Sequence, residues 1–225
     1  MTSVKTPADE AEARAIQDQL RSQVIFDEDG PAVGLGLVAG VDVAYDDERD
    51  LVAAAAVVLD AATLDVVEEA TAVGHVSFPY VPGLLAFREL PTVLAALDAL
   101  TVTPDLVVCD GYGLAHPRRF GLACHLGVVT GLPAMGVAKN PFTFTYEEPG
   151  EQRGSTSPLL APDGAEVGRA VRTQDGIKPV YVSVGHRVSL DSACAHALAL
   201  SPRYRIPETT RLADSLCRKA LREAG

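Results

Sequence analysis

Residues 36–75 read GLVAGVDVAYDDERDLVAAAAVVLDAATLDVVEEATAVGH and contain three apolar runs separated by short polar spacers. The runs cover residues 36–45, 51–60 and 64–75, and they are rich in valine and alanine. Spacers this short are typical of hairpin connections. The stretch therefore predicts three consecutive antiparallel strands in a meander.

Helical and strand patterns alternate through the rest of the chain. A helix is predicted over residues 7–24, with Thr6 as its cap and Pro7 at its first helical position. The helical pattern at 84–100 contains Pro91, which predicts a kink or a new helix there. The other predicted elements are a strand at 105–109, a helix at 119–130, a strand at 134–138, a loop at 149–158, a hairpin at 159–172, a strand at 179–184 and helices at 189–200 and 208–223.

This order predicts an α/β fold with one mixed sheet, in which an antiparallel three-strand meander is joined by parallel strands and helices cover both faces. A length of 225 residues, without repeats or a long linker, predicts a single domain over residues 1–225. Four scattered cysteines with no CxxC pair predict reduced core thiols in a cytoplasmic protein. No uncharged apolar run approaches the roughly 18 residues of a membrane span, so no membrane partner is expected.

The charge of the chain is unevenly distributed. The net charge of −11 alone argues against a nucleic-acid partner, because lysine and arginine supply most phosphate affinity. Before His116, however, 5 basic residues face 20 acidic ones, whereas 14 basic and 10 acidic residues follow from that point on. The second part of the chain is thus compatible with a local phosphate track, and equally with an ordinary solvated surface.

A carboxylate interrupts the first apolar run at Asp42. Burial of a charge there is costly unless the charge is paired, and a strand-end aspartate held by backbone donors is one interpretation. Asp110 ends another apolar run, and in a sheet of this order the two strands can be neighbours. Two facing carboxylates repel, and a divalent cation converts that repulsion into attraction, which favours a Mg²⁺ or Mn²⁺ site.

Four other titratable side chains are expected near these two carboxylates. Glu89 lies on the helix before the Asp110 strand, and Asp214 lies on the last helix. Lys139 follows the next strand, so it is expected to share a crevice with Asp110, unless it is a solvated cap residue. His125, on the helix between, is either an acid/base candidate or a satisfied helix histidine. A metal site beside such cations favours phosphodiester hydrolysis.

Five sequence blocks carry a resemblance to a known family, in the same order and over residues from about 36 to 214: GVDVAY, YVPGLLAFRELP, DGYGLAHPRRFGLACHLG, GVAK and SVGHRVSLDSA. They resemble endonuclease V, the deoxyinosine 3′ endonuclease family. The resemblance implies an RNase H-like fold and Mg²⁺-dependent hydrolysis, with Mn²⁺ as a substitute. The implied cut lies at the second phosphodiester bond 3′ to hypoxanthine, in repair of deaminated adenine, and leaves a 3′-hydroxyl and a 5′-phosphate.

The resemblance also implies roles for individual residues. The residues that it implies to be catalytic are Asp42, Glu89, Asp110, His125, Lys139 and Asp214. It implies that the first three of these bind the metal, and Asp214 matches a position where family members carry aspartate or histidine.

A wedge that fills the gap left by an extruded base is implied for the segment Pro79, Tyr80, Val81 and Pro82. Two prolines hold such a segment rigid and extended, which suits insertion between stacked bases. A core tyrosine in a proline-bounded turn is the alternative interpretation of the same residues.

Glycines after the Asp110 strand are expected to let the backbone approach an extruded base closely, because Gly111 and Gly113 have no Cβ. Main-chain donors and acceptors suffice to distinguish hypoxanthine from adenine. By resemblance, the pocket and its rim consist of the backbones of Gly83, Leu85, Gly111 and Leu122, the phosphate anchors Arg118 and Arg119, and His116 as a loop or pocket residue.

The expected partner is DNA containing deoxyinosine, with inosine-containing RNA or single-stranded nucleic acid as a second possibility, and a monomer is expected.

Two positions, Thr209 and Asn140, depart from the residues that many family members carry. Three alternatives stay open: another RNase H-like nuclease, a non-catalytic inosine or RNA binder, and a phosphotransferase. Clustered carboxylates beside phosphates disfavour the binder, and the length leaves little room for a two-domain phosphotransferase.

Overall fold

A computed structural model describes residues 6–224 of the chain. The strands within these residues are β1 (Leu37–Asp46), β2 (Leu51–Asp60), β3 (Val66–His75), β4 (Leu106–Asp110), β5 (Ala134–Ala138), β6 (Thr156–Leu160), β7 (Glu166–Val171) and β8 (Val180–His186). The helices within the same residues are α1 (Glu10–Arg21), α2 (Leu85–Asp98), α3 (Leu122–Thr130), α4 (Leu190–Ala199) and α5 (Glu208–Glu223).

The strands form one mixed sheet in the order β3-β2-β1-β4-β5-β8-β7-β6. The first three strands are an antiparallel meander, as the spacing predicts, and β1, β4 and β5 are parallel. This order is the RNase H-like arrangement that the resemblance implies. Strands β8, β7 and β6 then extend the sheet by antiparallel pairing beyond β5.

Helices cover both faces of the sheet, which confirms the predicted architecture. On one face, α2 and α3 pack on apolar side chains that include Val41 and Ala54. On the other face, α5 packs on Ala44 and Ala55, and α4 packs on β8. Central strands are buried on both sides, which is why β2 reads as a nearly continuous apolar run.

The contact between α5 and β1 depends on one glycine. A Cβ on Gly40 would lie 2.2 Å from the carbonyl carbon of Thr209, near the start of α5. The helix therefore rests directly on the strand backbone. Because side chains alternate along a strand, Asp42 points to the same face as Gly40, and α5 carries Asp214 to that face.

The first helix begins later than predicted. α1 starts at Glu10, and the side chain of Asp9 caps it by accepting a hydrogen bond from the Glu12 N–H at 2.8 Å. The expected cap at Thr6 and first helical position at Pro7 are wrong. An extended aspartate followed by acidic residues in the first turn is the stronger helix start.

Two other helix boundaries differ from the prediction. α2 continues through Pro91 as one helix, so no new helix begins there. α3 begins at Leu122, three residues after the predicted start, because Arg119 has a left-handed backbone conformation with φ of 54°.

All four cysteines are free and buried, as their scatter predicts. Burial raises the pKa of Cys194 and of Cys217 to about 12, so both thiols are protonated at neutral pH. Within residues 6–224, none of the helices combines the length and the apolar character needed to cross a membrane.

Candidate active site

Two carboxylates and a lysine meet where β4 and β5 end beside the middle of β1. The register of β1 with β4 sets Val41 beside Cys109, so Asp42 and Asp110 follow side by side. Lys139, directly after β5, forms an ion pair with Asp110, and its Nζ lies 3.9 Å from Oδ2 of Asp42. The structure thus brings these three residues together at one edge of the sheet.

Burial and repulsion dominate the electrostatics of Asp42. Burial, followed by the charge of Asp110, raises the pKa of Asp42 to about 8, although Lys139 and the Val43 N–H oppose the shift. The nearby positive charge is therefore too small to stabilise the ionised form of this carboxylate fully. An additional cation beside it would favour ionisation.

Asp214 approaches this pair from α5. It is ion-paired to Arg218 one helical turn later, at 2.9 Å, and its charge is one cause that raises the pKa of Asp42. The hydrogen bond from Arg218 is the main cause that lowers the pKa of Asp214. Asp214 is consequently an ionised carboxylate at neutral pH.

Glu89 lies on α2, across the sheet from α5. It accepts a hydrogen bond from the Tyr45 hydroxyl at 3.0 Å, and burial raises its pKa to about 7. The Arg88 guanidinium stacks over the Tyr45 ring at 4.5 Å. Among residues 6–224, no three histidine, cysteine, aspartate or glutamate side chains converge closely enough to hold a metal ion by themselves.

His125 is the most enclosed of the candidate residues. Only 1% of it is exposed, and its ring contacts Phe87 and Phe120 with centroid distances of 5.1 and 5.2 Å. Neither ring nitrogen has a hydrogen-bond partner among the described residues. Burial lowers the pKa of His125 to about 4, so the imidazole is neutral at pH 7.

A cavity of about 230 Å³ opens beside Asp110. It collects most of the residues for which the sequence predicts substrate contacts. These are Tyr80, Val81, Pro82, Gly83, Leu85, Gly111, His116 and Leu122. Pro79, Gly113, Arg118 and Arg119 are not among the lining residues of this cavity.

The two predicted pocket glycines have different surroundings. Gly111 lines the cavity with φ of 143°, a conformation that side chains rarely adopt. A Cβ on Gly113, in contrast, would lie 1.9 Å from the carbonyl oxygen of Val184. Gly113 is therefore required for packing against β8, and its N–H donates to Oγ of Ser183 at 2.8 Å.

The loop at Gly83 is held by two side chains. Burial lowers the pKa of His116 to about 4, and the neutral ring contacts the Gly83 carbonyl through Nε2 at 3.0 Å. Its Nδ1 accepts from the Arg118 N–H at 3.2 Å, so Nε2 is the donor. Gln17 on α1 donates to the same Gly83 carbonyl at 2.9 Å.

The two predicted phosphate anchors already have carboxylate partners. Arg118 is ion-paired with Asp18 on α1, and Nη2 of Arg119 donates to both carboxylate oxygens of Asp163, at 2.8 and 2.9 Å. Tyr80, in contrast, is 68% exposed at the mouth of the cavity.

Sequence reasoning missed several residues of the site. Gln17 is one, and its signal is a polar residue on the buried face of α1, one turn after Ala13. Tyr112, Phe120 and Phe142 also line the cavity. Their aromatic character beside the glycine-rich block is the feature that marks them.

Known proteins resemble the whole chain closely. The family model for endonuclease V matches residues 18–215. An endonuclease V from Streptomyces avermitilis is 76% identical over 100% of this chain and 99% of its own length. A crystal structure of endonuclease V from the same organism covers 97% of this chain and 96% of that chain, with a TM-score of 0.96 and 77% identity.

A more distant relative was crystallised with nucleic acid. Endonuclease V from Ciona intestinalis, in complex with a 24mer DNA containing an inosine followed by a ribo-adenosine, is 28% identical to this chain. The match covers 96% of this chain and 98% of that chain, with a TM-score of 0.83. From the matches over nearly its full length, the chain belongs to the endonuclease V family, and it is a nuclease of the hydrolase class.

Proposed function

We propose that residues 1–225 form one metal-dependent endonuclease domain that nicks DNA containing deoxyinosine. The bond cut is the second phosphodiester 3′ to hypoxanthine, which leaves a 3′-hydroxyl and a 5′-phosphate and starts the repair of deaminated adenine. Inosine-containing RNA and single strands are a second substrate class. The enzyme acts as a monomer in the cytoplasm, which is supported by a site built from one chain and by four free thiols.

One observation carries this proposal. Asp110 lines the base-sized cavity and also pairs with Lys139 beside Asp42. A base held in the cavity would therefore have its own backbone next to the carboxylates. Recognition of an extruded base and hydrolysis of a nearby bond then occur in one continuous site.

The carboxylates fit a hard divalent cation. Asp42 and Asp110 are adjacent oxygen donors, and the raised pKa of Asp42 reflects a shortage of positive charge. Mg²⁺ is commonly held by one or two carboxylates together with substrate phosphate oxygens and water, so a pair suffices. When bound, Mg²⁺ or Mn²⁺ neutralises charge on the scissile phosphate and favours deprotonation of the attacking water.

Three further residues assist this pair in the proposal. Lys139 holds Asp110 in place and offers positive charge to the phosphate. Asp214, kept ionised by Arg218, accepts the proton of the attacking water. Glu89 acts as an outer carboxylate through an intervening water, because its direct partner is Tyr45.

His125 supports the cavity from behind. Its ring packs on Phe120, which lines the cavity, and its lowered pKa keeps it neutral and compatible with an apolar wall. The proposed role is therefore to hold the wall of the base pocket in position.

The cavity supplies base recognition. Gly111 presents bare main chain to the cavity, and Leu85 and Leu122 add apolar surface on which a flat base can lie. Tyr80 is exposed between Pro79 and Pro82, which suits a ring that replaces the extruded base in the duplex. The pocket then identifies the base and the wedge assists its extrusion, so both contribute to discrimination between hypoxanthine duplex and undamaged duplex.

Arg118 and Arg119 are proposed to contact phosphates at the rim. Both already face a carboxylate, so each contact requires the guanidinium to turn toward the nucleic acid or to share its partner. Binding that releases counterions weakens steeply as salt rises. A salt-independent affinity would contradict this part of the proposal.

The test is cleavage of an end-labelled duplex with one hypoxanthine, beside a matched RNA strand with one inosine. Wild type is compared with Asp42→Asn and with Asp98→Asn, which changes an exposed carboxylate at the far end of α2. We expect Mg²⁺-dependent nicking by wild type and Asp98→Asn, none in EDTA, and none by Asp42→Asn. Equal cleavage by Asp42→Asn would contradict the proposed site.

A further inference from the structure

Phe142 is an exposed aromatic side chain at the mouth of the base cavity. It follows Lys139 by three residues, in the loop after β5, and 44% of it is exposed. Its ring lines the same cavity as Tyr80 and Asp110. Large apolar side chains are normally buried, so an exposed ring beside a proposed base pocket is a candidate contact for nucleic acid.

The ring is held rigidly from the inside. Phe142 stacks on Tyr112 with a centroid distance of 5.9 Å and an interplanar angle of 19°. The Tyr112 hydroxyl donates to the carbonyl of Asn140, and its ring packs edge-on against Phe144 at 5.6 Å. Phe144 belongs to a buried hydrophobic cluster that includes Tyr181, so the stack is anchored in the core.

Phe142 keeps 44% of its surface exposed although two rings lie beside it. One face is occupied by Tyr112, and His116 approaches at 6.5 Å with a tilt of 40°. Aromatic rings bind nucleobases by offset stacking, and a pre-positioned ring loses little freedom on binding. The exposed part of Phe142 thus has the chemistry of a base-stacking platform.

We propose that Phe142 stacks on the base of the nucleotide 3′ to the extruded hypoxanthine. The inference rests on the proposed function. We choose the 3′ neighbour because Phe142 is three residues from Lys139, which contacts Asp110, and the proposed cut lies 3′ to the lesion. Stacking there would fix the nucleotide that lies between the extruded base and the bond to be cut.

Phe142 and Tyr80 therefore have distinct tasks. Tyr80 replaces the lost base within the duplex, and its contribution needs a partner strand. Phe142 contacts a base of the cut strand itself, so it contributes to single-stranded and double-stranded substrates alike. This makes Phe142 a positioning residue for the site of cleavage.

The test measures binding to oligonucleotides that carry one hypoxanthine and a phosphonate linkage at the bond expected to be cut, with Mg²⁺ present. The 3′ neighbour, the 5′ neighbour or neither is replaced by an abasic residue. The proteins are wild type, Phe142→Ala, Phe142→Trp and Phe26→Ala. Phe26 is a second exposed phenylalanine, with 59% of it exposed, and it follows Ile25, whose carbonyl accepts from the Arg187 N–H at the opposite end of the sheet.

With both neighbours present, Phe142→Ala should weaken binding about tenfold, or about 1.4 kcal/mol, whereas Phe142→Trp and Phe26→Ala should bind like wild type. With the 3′ neighbour abasic, wild type should lose a similar factor and Phe142→Ala should lose nothing more. A 2-aminopurine at the 3′ position should be quenched by wild type and brighter with Phe142→Ala.

Two results would overturn the inference. One is a Phe142→Ala affinity equal to that of wild type, and the other is a loss that persists with the 3′ neighbour abasic or depends on the 5′ neighbour instead. Cleavage of unmodified hypoxanthine DNA by wild type distinguishes failure of the stacking proposal from failure of the proposed function. If that cleavage is present, a negative result removes only the platform; if it is absent, the proposed function itself fails.

Discussion

Replacement of Gly40 by alanine tests how the fold positions Asp214. The new Cβ would lie 2.2 Å from the carbonyl carbon and 2.3 Å from the carbonyl oxygen of Thr209. Optimal contact between carbon atoms is about 3.5–4.0 Å, so β1 and α5 must separate by more than about 1 Å. The atoms that clash belong to the main chain, and no side-chain rotation relieves them.

The expected effects are on stability and on activity. Overpacking of this kind costs about 2 kcal/mol, and for a chain of this length the midpoint of thermal unfolding should fall by about 4–8 °C. Because α5 carries Asp214, a shift of about 1 Å should also reduce single-turnover cleavage by about 100-fold.

The control is Gly74→Ala on β3. Its Cβ would meet only Oγ1 of Thr92, at 3.5 Å, which is ordinary contact. Gly74→Ala should unfold at or slightly above the wild-type temperature, because alanine loses less backbone entropy on folding. Thermal unfolding by circular dichroism and single-turnover cleavage measure both effects. A Gly40→Ala protein with wild-type stability and cleavage would refute the reasoning.

Three further predictions concern single residues. Lys139→Met should reduce cleavage by at least about tenfold with little loss of binding, because a charge-assisted contact near the phosphate is removed. Quantitative gel assays measure cleavage and fluorescence anisotropy measures binding. Unchanged cleavage would contradict the role proposed for Lys139. Tyr80→Ala should lower discrimination for hypoxanthine duplex over undamaged duplex more than it lowers undamaged binding; equal losses would contradict the wedge. His125 has its folded pKa lowered to about 4, below the usual histidine pKa of about 6.5, so the unfolded chain binds the proton first and stability falls as pH drops from about 6.5 toward 4. In urea unfolding, the free energy of unfolding of His125→Leu should fall less than that of wild type over this pH range, by up to about 3 kcal/mol. An equal dependence of the free energy of unfolding on pH in both proteins would contradict a buried neutral imidazole.

Much of the fold follows from local patterns in the sequence. The short spacers between apolar runs predict the meander, and the alternation that follows predicts parallel strands beside β1. The side-by-side positions of Asp42 and Asp110 follow from that order alone. In contrast, β8 pairs with β5 across more than forty residues, and local periodicity carries no information on such a partner or its direction.

The site is less predictable because it depends on contacts between distant segments. Glu89 lies 21 residues before Asp110, and its carboxylate accepts a hydrogen bond from Tyr45, since α2 packs on the sheet face opposite α5. The carboxylate partners of Arg118 and Arg119 come from α1 and from the β6–β7 turn. No spacing rule links such residues, so only the folded chain brings them together.

The most direct test of the central claim is the position of the nick relative to the lesion. Purified protein with Mg²⁺ is incubated with duplexes in which hypoxanthine is moved along a fixed sequence one nucleotide at a time, and products are resolved to single nucleotides. If the cavity and the carboxylate pair act together, the nick moves with the lesion and stays at the second bond on its 3′ side. A nick at a fixed sequence position, or one that persists when adenine replaces hypoxanthine, would contradict a site that reads the base and cuts beside it.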